Sequence, residues 1–196
     1  MRSRKKNGIT DFIDFSWMKN AFIIDYIADT FLEYGYTNGC ITSYDGFVRN
    51  LDDRGTAYSF AVYSRSGNEI NQPAILHYSG TRSLVYLRNY MLSEKDAYHY
   101  YEMEDGKIRT IYLDPADGLC KSAVNDLISY SNDLGCAEIL LSVCSIYIAN
   151  ELDTAKLDAL TEYGIYSVYM HEGELMYNDS ELTEEAGEDG SVYLSE

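Results

Sequence analysis

The chain has little of what stiffens, staples or metallates a fold: 2 prolines, 4 cysteines and 3 histidines in 196 residues. Cys40, Cys120, Cys136 and Cys144 form no C-x-x-C pair, and each stands among apolar neighbours, which predicts buried free thiols and excludes a disulfide framework or a zinc site. His77, His99 and His171 are scattered through segments of strand character, where structural roles are expected of them. No run of about 18 apolar residues occurs, so no segment reads as a membrane span. Basic residues are scarce, 15 against 32 acidic ones, and the net charge of -17 repels a nucleic-acid backbone or an anionic membrane surface. The opening MRSRKKNG is basic, but the ITDFIDFSWMKNAF after it carries acids within its apolar stretch and no small-residue cleavage site, so a signal peptide is not read and a cytoplasmic location is expected. Phosphate loops of the G-x-x-x-x-G-K type, G-x-S-x-G elbows and H-E-x-x-H helices do not occur.

What is present describes an ordinary globular chain. Hydrophobic residues make up 46%, and 20 tyrosines supply most of the aromatic content, enough for one domain with a full core. Trp17, Ala21, Ile24, Ala28 and Phe31 recur at helical spacing, which predicts a helix over 17–34 stopped by Gly35. The middle of the chain is of β character: GCITSYDGFVRN, TAYSFAVYS, PAILHYS, SLVYLRNYM, YHYYEM and KIRTIYL are rich in β-branched and aromatic residues, with a hairpin turn expected at Glu104–Gly106. CAEILLSVCSIYIAN predicts a helix over 136–149 buried on most faces, Thr154 a cap for a short helix over 154–163 ended by Gly164, and IYSVYMHEGELMYN a closing hairpin turning at Glu172 and Gly173. Residues 122–131 admit a helix or an edge strand by periodicity. Residues 1–11 read as a basic segment, 12–178 as a single domain, and 179–196, free of Lys and Arg, as an acidic, weakly ordered tail.

Four segments, taken in order, resemble the ApbE family of flavin transferases. The family's Asp-Leu-Gly-Gly-Ile-Ala-Lys-Gly helix start is met by DFSWMKNAFIID, with Asp14 and Asp25 in matching places. Its Asn-x-Gly-Gly turn is met by ITSYDGF, its Asp-Pro-x-Thr-Gly loop by TIYLDPADG, and its Ala-Asp-Ala-x-x-Thr helix by CAEILLS. The likeness extends over about residues 12–178. It implies an enzyme that takes FAD, uses Mg²⁺ and attaches the FMN half to a Thr or Ser hydroxyl. It also implies that Asp14 and Asp114 touch the cofactor, that Glu138 and Ser142 ligate the metal, and that residues 122–131 are a strand. Independently of the family, Glu138 and Ser142 lie four apart, on one helical face, as an oxygen pair for a hard cation must; the same positions also suit a helix start and a back-bonded serine.

The departures bear on activity. Where the family places an active-site His, three residues before the Asp-Pro, stands Ile111, which carries no proton to give or take. Ser16 to Asn20 replace glycines that let a backbone approach the cofactor, and Asp45 would repel a diphosphate. The family also carries a long segment before its first motif that supplies part of its flavin site, and this chain is expected to begin too late to contain it. TIYLDPADG itself is good turn chemistry, YSGTRS at 78–83 reads as a turn before it reads as a flavin acceptor, and the pair Asp52-Asp53 reads as solvated charge.

The fold class expected is α+β, an antiparallel or mixed sheet backed by helices, as in ApbE-type domains. Of two functional readings, the first is a degenerate domain without a catalytic residue, acting in binding or assembly with a protein partner or as a homo-oligomer. The second is a divergent Mg²⁺-dependent FMN transferase that completes its site with another subunit.

Overall fold

In a computed structural model, residues 15–104, 108–187 and 191–195 are described. The largest sheet has six strands, β1 (Gly39–Thr42), β2 (Phe47–Leu51), β5 (Arg82–Arg88), β8 (Asp126–Ser131), β9 (Tyr166–His171) and β10 (Glu174–Tyr177), joined in that order and antiparallel throughout. A second sheet of order β11-β12-β4-β3 is built from β3 (Tyr58–Ser66), β4 (Glu69–Tyr78), β11 (Thr183–Ala186) and β12 (Val192–Ser195). It is mixed, because β12 runs parallel to β4 while the other pairs are antiparallel. β6 (Tyr100–Glu102) and β7 (Ile108–Thr110) form a separate ribbon. The α+β expectation stands.

Period-two alternation in the central strands builds three layers. Phe47, Val85, Leu87, Leu127 and Tyr169 turn toward the helices, while Val48, Leu84, Tyr86, Ile128 and Val168 turn toward the second sheet. Every residue of β5 and β8 is consequently buried. On the helical side lie α1 (Lys19–Glu33), entered through a 3₁₀ turn at Ser16–Met18, α2 (Cys136–Tyr147) and α3 (Thr154–Ala159), continued by a 3₁₀ turn to Tyr163. None of the helices among the described residues is long and apolar enough to cross a membrane.

The helices follow their sequence signals, with local corrections. Met18, Ala21, Ile24 and Ala28 are the buried stripe of α1, and Phe31 is left exposed. α1 ends where Tyr36 N–H reaches back to Phe31 O, with Gly35 at φ +82°, the left-handed stop that glycine permits. α2 is buried along most of its length, yet Glu138, Leu141 and Ser145 face outward. α3 is capped by Asp153, whose side chain accepts from Lys156 N–H, so Thr154 is the first helical residue and not the cap. The turn expected at Glu104–Gly106 includes residues outside those described, though its two strands pair. Residues 126–131 are a strand, as the family resemblance implied, and Glu172 and Gly173 make the left-handed turn between β9 and β10.

The acidic tail is corrected outright. Residues 183–186 and 192–195 are strands, Leu194 is fully buried, and the Asp179 carboxylate accepts from the Tyr130 hydroxyl at 2.6 Å inside the protein. Backbone pairing with β4 supplies an order that the side-chain composition does not advertise. Asp52 is likewise not solvated charge: it is buried and its carboxylate accepts from the backbone N–H groups of Arg54, Thr56 and Gly80 at 2.8–3.0 Å. The cysteines are all free, but Cys40 is exposed on β1 and Cys120 is half-buried; only Cys136 and Cys144 lie in the interior.

Two acids organise this architecture, the first half-buried and the second buried. Asp25 of α1 accepts from the N–H groups of Cys136 (2.8 Å) and Ala137 (2.9 Å) at the start of α2, and pairs with Arg49 of β2 at 3.1 Å. A methyl group on Gly135 would lie 2.7 Å from that carboxylate and would have to push it aside. Asp126 lies between the sheets on a hydroxyl chain: its Oδ2 is 3.3 Å from the Tyr90 hydroxyl, that hydroxyl is 3.0 Å from the Tyr86 hydroxyl, and Tyr86 is in turn within reach of Tyr63 O, so a protonated Asp126 would start a run of donors that ends on that carbonyl. Burial pushes the Asp126 carboxyl up to about 7, against the opposing hydrogen bonds of Met170 N–H and Tyr90.

Leu194→Ala is expected to cost about 2–4 kcal/mol through the cavity left between the sheets, read as a lowered urea midpoint; an unchanged midpoint would contradict an integral β12. Asp25→Ala removes two charge-assisted caps and strands Arg49, for a loss of about 2–3 kcal/mol, and circular dichroism would report a lower melting temperature. For Asp126 the sign follows from its raised native value. Folding favours the protonated acid, so its contribution is complete below about pH 4, where the unfolded carboxyl also binds its proton, and is lost as pH rises toward 7. Wild type should therefore lose stability relative to Asp126→Asn between pH 4.5 and 7.5, and parallel pH curves for the two proteins would refute the assignment.

Candidate functional site

A cleft with convergent polar groups lies where the β1–β2 turn, β5, the Glu94–His99 3₁₀ turn and the β6–β7 ribbon meet; its walls include Asp45, Arg88, His99, Tyr100, Ile111 and Tyr112. Gly46 fixes its floor. At φ +96° it brings the chain so close to β5 that Tyr86 N–H donates to Gly46 O at 2.8 Å, and any Cβ would sit 2.3 Å from Tyr86 O. This contact turns Asp45 inward, where Asn20 of α1 donates to Oδ2 at 2.7 Å and His99 Nδ1 stands 3.9 Å from the same oxygen.

Arg88 carries the positive charge of the wall. It is buried, donates to Asp96 Oδ2 and to Tyr44 O at 2.9 Å each, and lies over the rings of Tyr86 and Tyr100. Asp96 is held in turn by the N–H groups of Leu92 and Ser93, so the ion pair is a fixed part of the fold. Burial and the neighbouring Asp45 carboxylate hold the Tyr112 hydroxyl well above the usual phenol range, and burial does the same for Tyr100. Three buried atoms of this wall, Asp45 Oδ1, Arg88 Nε and the Tyr112 hydroxyl, have no hydrogen-bond partner. A carboxylate, a guanidinium and a phenol with spare capacity around one cleft can engage a small polar group or a water molecule.

The residues singled out from sequence are not brought together here. Asp14 lies outside the described residues. Asp114 belongs to its own loop: its carboxylate accepts from Ala116 N–H at 2.8 Å and from Lys121 Nζ at 2.6 Å, and the Lys121 ammonium, shared with Asp117, holds it below the usual carboxylate range. Glu138 Oε2 accepts from Gly135 N–H at 3.3 Å, and Ser142 Oγ donates to Glu138 O at 2.9 Å, so both are turned onto their own helix. Among the described residues no three His, Cys, Asp or Glu side chains are grouped as a metal would need. Ile111, by contrast, does line the cleft and is partly exposed. Sequence reading missed His99 as its neighbour, because YHYYEM reads as one strand; His99 in fact closes a 3₁₀ turn begun by a Ser93–Asp96 capping box, an S-x-x-D signal present in the sequence.

Neither protein-family models nor curated proteins give a match to this chain. Solved structures do. The crystal structure of the ApbE protein from Thermotoga maritima superposes with a TM-score of 0.67 at 13% identity, over 86% of this chain and 52% of that one. This chain thus spans about half the length of that relative, and what the two share is the ApbE-like fold.

Proposed function

We propose that this chain is an ApbE-like domain that serves in binding or assembly and does not transfer flavin. The observation that carries this reading is Ile111, which lines the cleft beside Asp45 and His99 where the family resemblance places an imidazole, and which has no proton to exchange. The metal ligands implied by the family resemblance support the same reading: Glu138 and Ser142 are engaged by backbone groups, whereas Mg²⁺ favours near-octahedral oxygen coordination with carboxylate and phosphate partners.

A second reading rests on His99. Its imbalance of neighbours, Asp45 at 3.9 Å and Ile111 in the same cleft, would let it replace the imidazole that the family places at position 111. The chain would then be a divergent Mg²⁺-dependent FMN transferase completed by another subunit. Transfer of FMN from FAD to a hydroxyl releases AMP, so the purified chain can be incubated with FAD, Mg²⁺ and a threonine-containing acceptor protein while AMP is measured. No AMP, and a melting temperature indifferent to FAD with Mg²⁺, are expected. AMP release that His99→Ala abolishes, or stabilisation by FAD that Glu138→Ala removes, would give the site to the transferase.

A further inference from the structure

The outer face of α1 carries an apolar stripe that the fold does not bury. Opposite Ala21, Ile24 and Ala28, the residues Lys19, Phe22, Tyr26, Thr30 and Glu33 recur at spacings of three and four and so share one side of the helix, with Ile23 three before Tyr26 on the same side. Phe22 is 51% exposed, Ile23 42% and Tyr26 73%, and Phe15 and Tyr34 extend the apolar surface beyond the two ends. The Thr30 hydroxyl donates to Tyr26 O at 2.7 Å, which turns its methyl group outward. Asp29 is drawn to the flank by Arg49 at 3.8 Å. Half-exposed aromatic side chains of this number offer on the order of several hundred Å² of apolar surface, a patch size that marks an interaction site.

The charges at its ends identify what covers it. Lys19 and Glu33 stand seven residues on either side of Tyr26, each roughly 10 Å along the axis from it at 1.5 Å per residue. If a second α1 lies antiparallel across the first with the two-fold axis at Tyr26, Lys19 of each copy faces Glu33 of the other. Phe22 and Ile23 then cover the Thr30 methyl and the flank beside it. Such self-complementarity is the signature of an isologous contact, and the spacing is that of a short antiparallel coiled-coil seam with charged ends. We propose that the chain forms a two-fold homodimer through α1, with Tyr26 on the axis. The dimer supplies a surface for the assembly role proposed above and rests on that reading only for its purpose, since hydrodynamic mass and AMP release are measured separately. The net charge of -17 opposes pairing over the rest of the surface, so the contact should form at 0.15 M salt, where such repulsion is screened beyond about 8 Å.

Sedimentation equilibrium of the full chain at micromolar concentration, in that salt, is expected to give twice the monomer mass. Tyr26→Lys should give monomers with an unchanged circular dichroism spectrum. Lys19→Glu and Glu33→Lys should each weaken the dimer at least fivefold, and the double variant should restore it, because the swap re-forms both end pairs. In a Cys40→Ser background, Tyr26→Cys should cross-link to a disulfide dimer on mild oxidation, and Ser145→Cys, exposed on α2, should not. A monomeric wild type would overturn the proposal, as would a dimer that survives Tyr26→Lys or a charge swap that fails to restore it. In the first case the stripe belongs to a different protein, and in the others the dimer is built elsewhere.

Discussion

A single carboxylate holds the helical layer to the sheet. Asp25 leaves α1, caps α2 and meets Arg49 of β2, so three elements far apart in sequence share one acid. Each partner needs the others. Without Arg49 the half-buried charge would lose its counter-ion, without Asp25 the start of α2 would present unsatisfied N–H groups, and a side chain at 135 would push the carboxylate aside. The packing of Met18, Ala21 and Ile24 against Ile139, Leu140 and Val143 then follows from where that acid places the two helices.

The start of α2, where the family resemblance places metal ligands, holds that acid and Glu138 against its own backbone. A separate cleft is walled by Asp45, Arg88, His99 and Tyr112, with Ile111 beside them, so that a fixed ion pair, an imidazole and a hydrocarbon side chain meet. The chemistry of that wall is polar but weakly nucleophilic: the two phenols are held in their neutral forms by burial, and the guanidinium is tied to Asp96.

Much of the fold is legible in the sequence because its signals are local. The periodicity of α1 and α2, the glycines at 35 and 164, and the Glu172-Gly173 turn each specify their own few residues, and each is found in place. What is not legible depends on distant partners. The acidic residues after 178 carry no strand signal of their own strength, yet the ladder with β4 and the hydroxyl of Tyr130 order them. Asp52 looks like surface charge until the chain returns at Gly80 to bond it. The site divides the same way. Ile111 could be placed by its distance from the Asp-Pro, whereas the approach of His99 to Asp45 depends on Gly46 meeting β5, a contact that no short window of sequence contains.

The parallel pairing of residues 192–195 with 74–77 has a consequence for synthesis. During translation the flank of β4 emerges long before its neighbour is made, and for that interval an apolar strand edge is bare. Such an edge invites pairing with a stranger. A cell making this protein quickly has reason to shield the nascent chain until the late strand arrives.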